Sequence, residues 1–266
     1  MKYLLSIRPT MGIFAVLLSY VSFKLINQAG GGYAYLVYAI VFTGISATMV
    51  WNDYQDREID KTKGKTTASN QPIIFFRYSL VVWLILIVLN CSLLFYGLKP
   101  FVFSMILTAI GFYYNSTKKI FLLPTFTVAI FCALLVFYPL VHHVGASTIW
   151  QFLRLSIFVF VFIYIREIVK DLMDESIDTG YKMTIPLKFG TRTAINIVVI
   201  LLILLNITFV YTISQTQLFG LKQYFIGFGL ISFALAFIMV LIHKYKNCKI
   251  LMDISGVCAL LAFSLL

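Results

Sequence analysis

Long apolar runs separated by short polar breaks set the pattern of this chain. Nine stretches stand out, at about 11–27, 33–51, 74–97, 101–117, 121–141, 148–166, 193–213, 223–243 and 249–266. Each is near the ~20 residues that a helix needs to cross a bilayer. Few show strand-like alternation, and several carry Gly or Pro, which helices in lipid tolerate. The pattern predicts an all-α polytopic membrane protein with about nine transmembrane helices. The fourth stretch is the shortest, and "NSTKK" alone divides it from the fifth.

Composition sharpens this. Of 266 residues, 61% are hydrophobic and 12% charged, against about 25% charged in soluble domains. Mean hydropathy is +0.95. A soluble protein with one buried core is excluded. The opening "MKYLLSIRPT" leads into an apolar run long enough to span, so no cleavable signal peptide is expected.

Lysine and arginine set the expected orientation. Alternate loops, counted from the N-terminus, collect all 21 of these residues except Lys24, Lys99, Arg154 and Lys222. The N-terminus is therefore expected in the cytoplasm and the C-terminus on the opposite side. The net charge of +11 then reflects topology and contact with anionic membrane lipid. No nucleic-acid motif and no obligate protein partner is evident. Cys91, Cys132, Cys248 and Cys258 lie in or beside apolar segments, without the spacing of a redox or zinc motif. His142 and His143 are adjacent, so they cannot share a helix face as metal ligands.

The acid is not spread over the loops. Nine of the ten Asp and Glu residues fall in "NDYQDREID" (52–60) or between Glu167 and Asp178. Only Asp253 lies elsewhere, and with no acidic partner in its segment it is expected to be silent. Asp53, Asp56 and Asp60 recur 118 residues later as Asp171, Asp174 and Asp178. At 100° per residue, Asn52, Asp53, Asp56 and Asp60 occupy an arc of roughly 100° on one helix face. The second set does likewise. Like charges stacked over about 10 Å of helix repel and require a cationic partner. Hard divalent ions suit such clusters, and Mg2+ in particular takes a few carboxylates, water and substrate phosphate.

The two patterns follow the second and sixth apolar stretches, so both are expected on the cytoplasmic side. Four stretches separate them, which suggests two four-helix bundles in parallel order, plus a ninth helix, around a central cavity. The chain then reads as a single intramembrane domain, 1–266, with pseudo-repeat halves of about 1–118 and 119–246.

These residues resemble a known family. "NDYQDREID" is similar to the Asn-Asp-x-x-Asp-x-x-x-Asp signature of the UbiA superfamily of intramembrane prenyltransferases. "REIVKDLMDESIDTGYKMTIPLKFG" (166–190) resembles its second signature, and "YNSTK" (114–118) its Tyr-x-x-x-Lys. Arg8-Pro9 before the first helix also fits. The chain departs from the family after the first signature, where "GKTTASNQ" puts Thr66 in place of a usual Pro and Asn70 in place of a usual Gly.

The resemblance implies transfer of an isoprenoid chain from a polyprenyl diphosphate donor to a small acceptor, with two Mg2+ ions on the diphosphate. It assigns Asn52, Asp56, Asp174 and Asp178 as metal ligands, with Asp53 and Asp60 ligating or orienting the groups around them. Arg8, Arg57, Lys118, Lys170 and Lys182 are expected to meet phosphate oxygens. Tyr114 lies one turn before Lys118 and serves the allylic cation through its ring or the diphosphate through its hydroxyl. Asp171 takes the acceptor's proton or joins the metal shell. The acceptor belongs to the aromatic, quinone-precursor or glycerol-phosphate class, and "REIVKD" leans toward the ether-lipid and homogentisate branches. A terpene cyclase acting on one prenyl diphosphate is the alternative. A divalent-cation transporter is disfavoured, because transporters place ionisable groups near the midplane on broken helices, not at helix ends.

Overall fold

The structure is a computed structural model that describes residues 6–62, 67–114, 120, 123–142, 149–180, 183–214 and 221–264. Among these, every regular element is a helix. In chain order they are α1 (Pro9–Lys24), α2 (Gly32–Gln55), α3 (Arg57–Thr62), α4 (Thr67–Asn70), α5 (Pro72–Ser92), α6 (Leu98–Tyr113) and α7 (Leu123–Leu135). Then follow α8 (Tyr138–His142), α9 (Ile149–Met173), α10 (Glu175–Asp178), α11 (Ile185–Phe189), α12 (Thr191–Ser214), α13 (Leu221–Leu241) and α14 (Tyr245–Ser264).

Among the described residues the apolar stretches are largely helical, and local chemistry sets the boundaries. α1 and α5 open on Pro9 and Pro72, whose fixed φ suits the first turn and whose missing N–H is not needed there. α5 tightens into a 3₁₀ turn over Leu93–Tyr96, closed by Gly97 at φ 120°. The stretch expected as one helix over 121–141 is two, α7 and α8. Pro139 is the cause, since it has no N–H for the Leu135 carbonyl and its ring crowds that turn. Three spans, Gly32–Gln55, Pro72–Tyr96 and Thr191–Thr208, are long and apolar enough to cross a membrane by length and composition. Shorter apolar helices accompany them, α1, α6 and α7 among others.

The chain forms two compact units. The first comprises Met1–Asn115 and Leu134–Phe152, the second Ser116–Ala133 and Leu153–Leu266. In the first, α2 packs between α1 and α5 around Leu18, Val21, Val37, Val41, Phe75 and Leu86, all 3% exposed or less. Two close approaches set this packing. A Cβ on Gly12 of α1 would lie 2.6 Å from the Phe42 ring, and one on Gly111 of α6 would lie 2.8 Å from Thr48 Oγ1. Only glycine lets these backbones meet.

The first unit also buries a polar knot. Asn90 Nδ2 donates to the Leu86 carbonyl at 2.8 Å, and its Oδ1 accepts from Ser104 Oγ. Ser104 shares a hydrogen bond of 2.6 Å with the Tyr138 hydroxyl. Tyr33 donates to the Tyr138 carbonyl at 3.1 Å. The α7–α8 break is thereby tied to α2, α5 and α6, and the buried hydroxyls are satisfied.

In the second unit α13 and α14 lie along each other, and α12 packs on α11 and α13. Val198, Leu202, Phe233, Ala236 and Met252 are fully buried. The outer faces are apolar in both units. Leu80, Val81, Leu84, Ile85 and Val88 of α5 are exposed, as are Ile200, Ile203, Leu204 and Ile207 of α12. Stripes of this size would drive aggregation in water and are normal against lipid tails.

Candidate active site

The acidic end of α2 is built in the first unit. Arg8, the residue before α1, adopts the left-handed conformation (φ 49°, ψ 63°), which is uncommon without glycine. Its Nη2 lies 3.0 Å from Asp53 Oδ1. Arg57 turns back on its own helix end. Its Nη1 donates to the Tyr54 carbonyl at 3.0 Å, and its guanidinium carbon sits 4.8 Å from the Tyr54 ring centroid. The Arg57 carbonyl accepts from Ser69 Oγ of α4. The short helix formed by the departing "TASN" stretch is thus fastened to the motif. Below it, Val50, Ala68 and Phe75 form a buried apolar cluster with Ile7, Tyr54 and Tyr78 against it.

The acidic end of α9 is built in the second unit and is more deeply buried. Asp171 is 7% exposed and Asp178 is 2% exposed. Thr125 Oγ1 of α7 donates to Asp171 Oδ2 at 3.4 Å. Glu175 of α10 accepts both contacts of Thr191 Oγ1, at 2.9 and 3.1 Å, and so fixes the start of α12. Lys170 Nζ lies 3.4 Å from Glu167 Oε2.

A network unanticipated from sequence lies just before this motif. The Arg166 side chain is 6% exposed. Its Nε lies 2.7 Å from Asp253 Oδ1 of α14, and its Nη1 lies 2.9 Å from Glu167 Oε1. Lys249 Nζ lies 3.2 Å from Asp253 Oδ2. A buried guanidinium needs compensating carboxylates, and the two helices supply one each. This corrects the expectation for Asp253. It has no acidic partner in its own segment, yet it closes an ion pair with α9. The signal was faint: Lys249 and Asp253 stand at the i, i+4 spacing of a helical ion pair. Arg166 had been absorbed into the topology count.

The two motifs share a backbone device. Asp56 ends α2 at φ −86°, ψ 5°, and α3 starts one residue later. Asp174 ends α9 at φ −96°, ψ 5°, and α10 starts one residue later. Such bridge-region residues are sparse and concentrate in turns and active sites. Hydrogen bonds nevertheless run through both breaks. The Asp56 N–H donates to Asn52 at 2.9 Å and the Asp60 N–H to Asp56 at 2.7 Å. The Asp174 N–H donates to Lys170 at 3.0 Å and the Asp178 N–H to Asp174 at 2.8 Å. Each acidic run therefore sits on an interrupted helix, not on the continuous one expected. The register of the repeat extends further: α4 begins at Thr67 and α11 at Ile185, again 118 residues apart. The repeat is also unequal. Lys170 occupies the position of Asn52, and Glu175 that of Arg57.

Of the residues singled out by sequence, Arg8 meets Asp53 and Lys170 meets Glu167. Tyr114 caps α6 with helical dihedrals (φ −45°, ψ −43°). Lys118 and Lys182 lie outside the described residues. Among the described residues, no three His, Cys, Asp or Glu side chains converge into a ready-made metal cage.

Apolar outer faces, an all-helical fold and buried carboxylates at helix ends together define an integral membrane protein with polar chemistry at the ends of its helices. The chain matches the UbiA prenyltransferase family over residues 10–255 and belongs to it. Solved structures of similar fold include an apo UbiA homologue from Aeropyrum pernix K1, 15% identical, with a TM-score of 0.78 over 96% of this chain and 97% of that one. A structure described as digeranylgeranylglyceryl phosphate synthase is 21% identical, with a TM-score of 0.69 over 99% and 96% of the two chains. A UbiA homologue from Archaeoglobus fulgidus bound to GPP and Mg2+ is 13% identical, with a TM-score of 0.65 over 98% and 99%. No curated protein matches the chain at the significance these structures reach.

Proposed function

We propose that this protein transfers an isoprenoid chain from a polyprenyl diphosphate to a small acceptor within the membrane, in a reaction that depends on Mg2+. The observation that carries the reading is the duplicated acidic helix end, with Asp56 and Asp174 in the same bridge conformation and Asp53 and Asp60 in register with Asp171 and Asp178. Family membership supports the reaction class. A neighbour of the same fold binds GPP and Mg2+, which supports the donor and the ion.

The donor set fits magnesium. It is made of carboxylate and amide oxygens, the hard ligands that Mg2+ prefers. Asn52, Asp56, Asp174 and Asp178 would hold it, with Asp53 and Asp60 beside them. Bound there, Mg2+ would neutralise charge developing on the diphosphate leaving group.

The chain's own cations complete the task. Lys118, Lys170, Lys182, Arg57 and Arg8 supply hydrogen bonds to phosphate. Arg8 first serves Asp53, so it acts on the donor while holding a motif carboxylate in place. Tyr114 faces the allylic fragment or the diphosphate. Asp171, buried and held by Thr125, receives the acceptor's proton. The acceptor is an aromatic or quinone precursor, or a glycerol-phosphate lipid precursor. A neighbour described as digeranylgeranylglyceryl phosphate synthase supports the second class. Both motifs work from the cytoplasmic face.

The test is incubation of purified protein with labelled polyprenyl diphosphates, Mg2+ and a lipid extract, with mass spectrometry of the products. A prenylated acceptor with stoichiometric diphosphate is expected. Release of diphosphate without any acceptor, with a cyclic hydrocarbon as product, would overturn transfer in favour of cyclisation.

A further inference from the structure

We propose that Asp253 is a positioning residue for this reaction. Acting through Arg166, it sets the last turns of α9 and so the placement of Asp171 and Lys170. The inference rests on the prenyl-transfer reading above and adds to it a residue on α14, outside both acidic motifs.

The geometry runs in one line. Lys249 holds one oxygen of Asp253 at 3.2 Å. The other oxygen takes Arg166 Nε at 2.7 Å, a short charge-assisted contact. Arg166 Nη1 holds Glu167 Oε1 at 2.9 Å, and Glu167 Oε2 remains for Lys170 Nζ at 3.4 Å. The oxygens of Glu167 are thus divided between an arginine and a lysine. That division depends on Asp253 engaging the guanidinium from the far side. Without the Asp253 carboxylate, Arg166 draws Glu167 into a two-pronged pair, because the guanidinium fork matches a carboxylate. Lys170 then loses its tether. Arg166 and Asp171 lie on one unbroken helix, α9. A rotation that re-pairs Arg166 is therefore carried directly to Asp171, and errors of about 1 Å at a reacting group cost on the order of a hundredfold in rate.

A purely structural ion pair would act differently. Replacing a buried ionic cluster as a whole, here Arg166 and Glu167 together with the 43% exposed Asp253 side chain, with uncharged residues is often neutral for stability. A positioning pair, once replaced in that way, leaves the fold stable and the chemistry slow.

The experiment measures kcat, donor KM and thermal unfolding in detergent for the wild type, Asp253→Asn, Asp253→Glu and the triple variant Arg166→Met/Glu167→Gln/Asp253→Leu, which removes every charge that Arg166 compensates. Cys91→Ala, at an exposed position on α5, serves as the control and should match the wild type. Asp253→Asn should lower kcat roughly ten- to a hundredfold, with a smaller rise in donor KM, since Lys170 is displaced while the metal ligands are intact. Asp253→Glu keeps the charge and should recover a substantial part of kcat. The triple variant should unfold near the wild-type temperature and remain at least about tenfold slow. Recovery of kcat along with stability in the triple variant would reduce the cluster to a structural role and overturn the proposal. A wild-type kcat in Asp253→Asn would do the same. If the wild-type protein itself gives no prenylated product, the prenyl-transfer reading fails and this proposal with it. Wild-type turnover beside an unaffected variant removes the positioning role alone.

Discussion

Asp56 and Asp174 hold the same backbone conformation 118 residues apart, each as a single non-helical residue between two helices whose hydrogen bonds run on through the break. Duplicated carboxylates at duplicated breaks are expected to act as ligands of one diphosphate-bound ion set. Asp56→Ala and Asp174→Ala should each reduce turnover below about one per cent of wild type without loss of folded protein by size exclusion. Chelation of Mg2+ should do the same. Activity surviving in either variant or in chelator would remove the assigned metal roles.

The Arg8–Asp53 pair should couple the chain's start to the first motif. A double-mutant cycle with Arg8→Gln and Asp53→Asn should give a coupling in unfolding free energy of about 1 kcal/mol that shrinks with added salt. Additive effects at low salt would mean the pair contributes nothing to the fold.

Lys118 should act on the leaving group by charge. Lys118→Met should slow diphosphate release and product formation together, by roughly ten- to two-hundredfold, the value of one charged hydrogen bond of about 1.5–3 kcal/mol. Lys118→Arg should restore only part. Tyr114→Phe separates ring from hydroxyl. Retention in Phe with loss in Leu assigns the ring, and equal failure assigns the hydroxyl.

Helix contacts in the first unit should depend on one glycine and not another. Gly12→Ala puts a Cβ 2.6 Å from the stiff Phe42 ring and should destabilise by about 1–3 kcal/mol. At Gly44 the nearest atom is Leu86 Cδ1 at 3.7 Å, an ordinary contact. Gly44→Ala should therefore be neutral or gain up to about 1 kcal/mol. Thermal melts in one detergent decide the comparison.

Accessibility tags near Lys63 and near Thr179 should both report the cytoplasm, and a tag placed after Leu266 the opposite side. Opposite sides for the two motif loops would break the parallel order of the halves.

Much of this was legible in the sequence because the lipid environment leaves few choices. Apolar runs of spanning length are driven to become helices, and every regular element among the described residues is one. The acidic residues were conspicuous because charge is so scarce elsewhere. What hydropathy could not convey was interruption. Pro139 splits an apolar run that reads as continuous, and the breaks at Asp56 and Asp174 leave no trace in residue spacing. Pairing across distance was hidden as well. Arg166 reads as one more basic residue at a helix end, and Asp253 as an isolated acid. Their contact spans 87 positions, and no local pattern encodes it.

That span has a consequence for biosynthesis. α9 carries Arg166 toward its C-terminal end, where a charge costs less than the roughly 2.5–3.5 kcal/mol it costs at the centre of an inserting helix. Glu167 is beside it from the outset, but Asp253 is made 87 residues later. At translation rates of about 5–20 residues per second, that delay is on the order of several seconds. Through that interval α9 depends on its neighbouring glutamate to shield the guanidinium. The contacts of α13 with α14 and the Arg166–Asp253 pair form only when α14 arrives, so a chain halted before Tyr245 holds Arg166 without the Asp253 carboxylate.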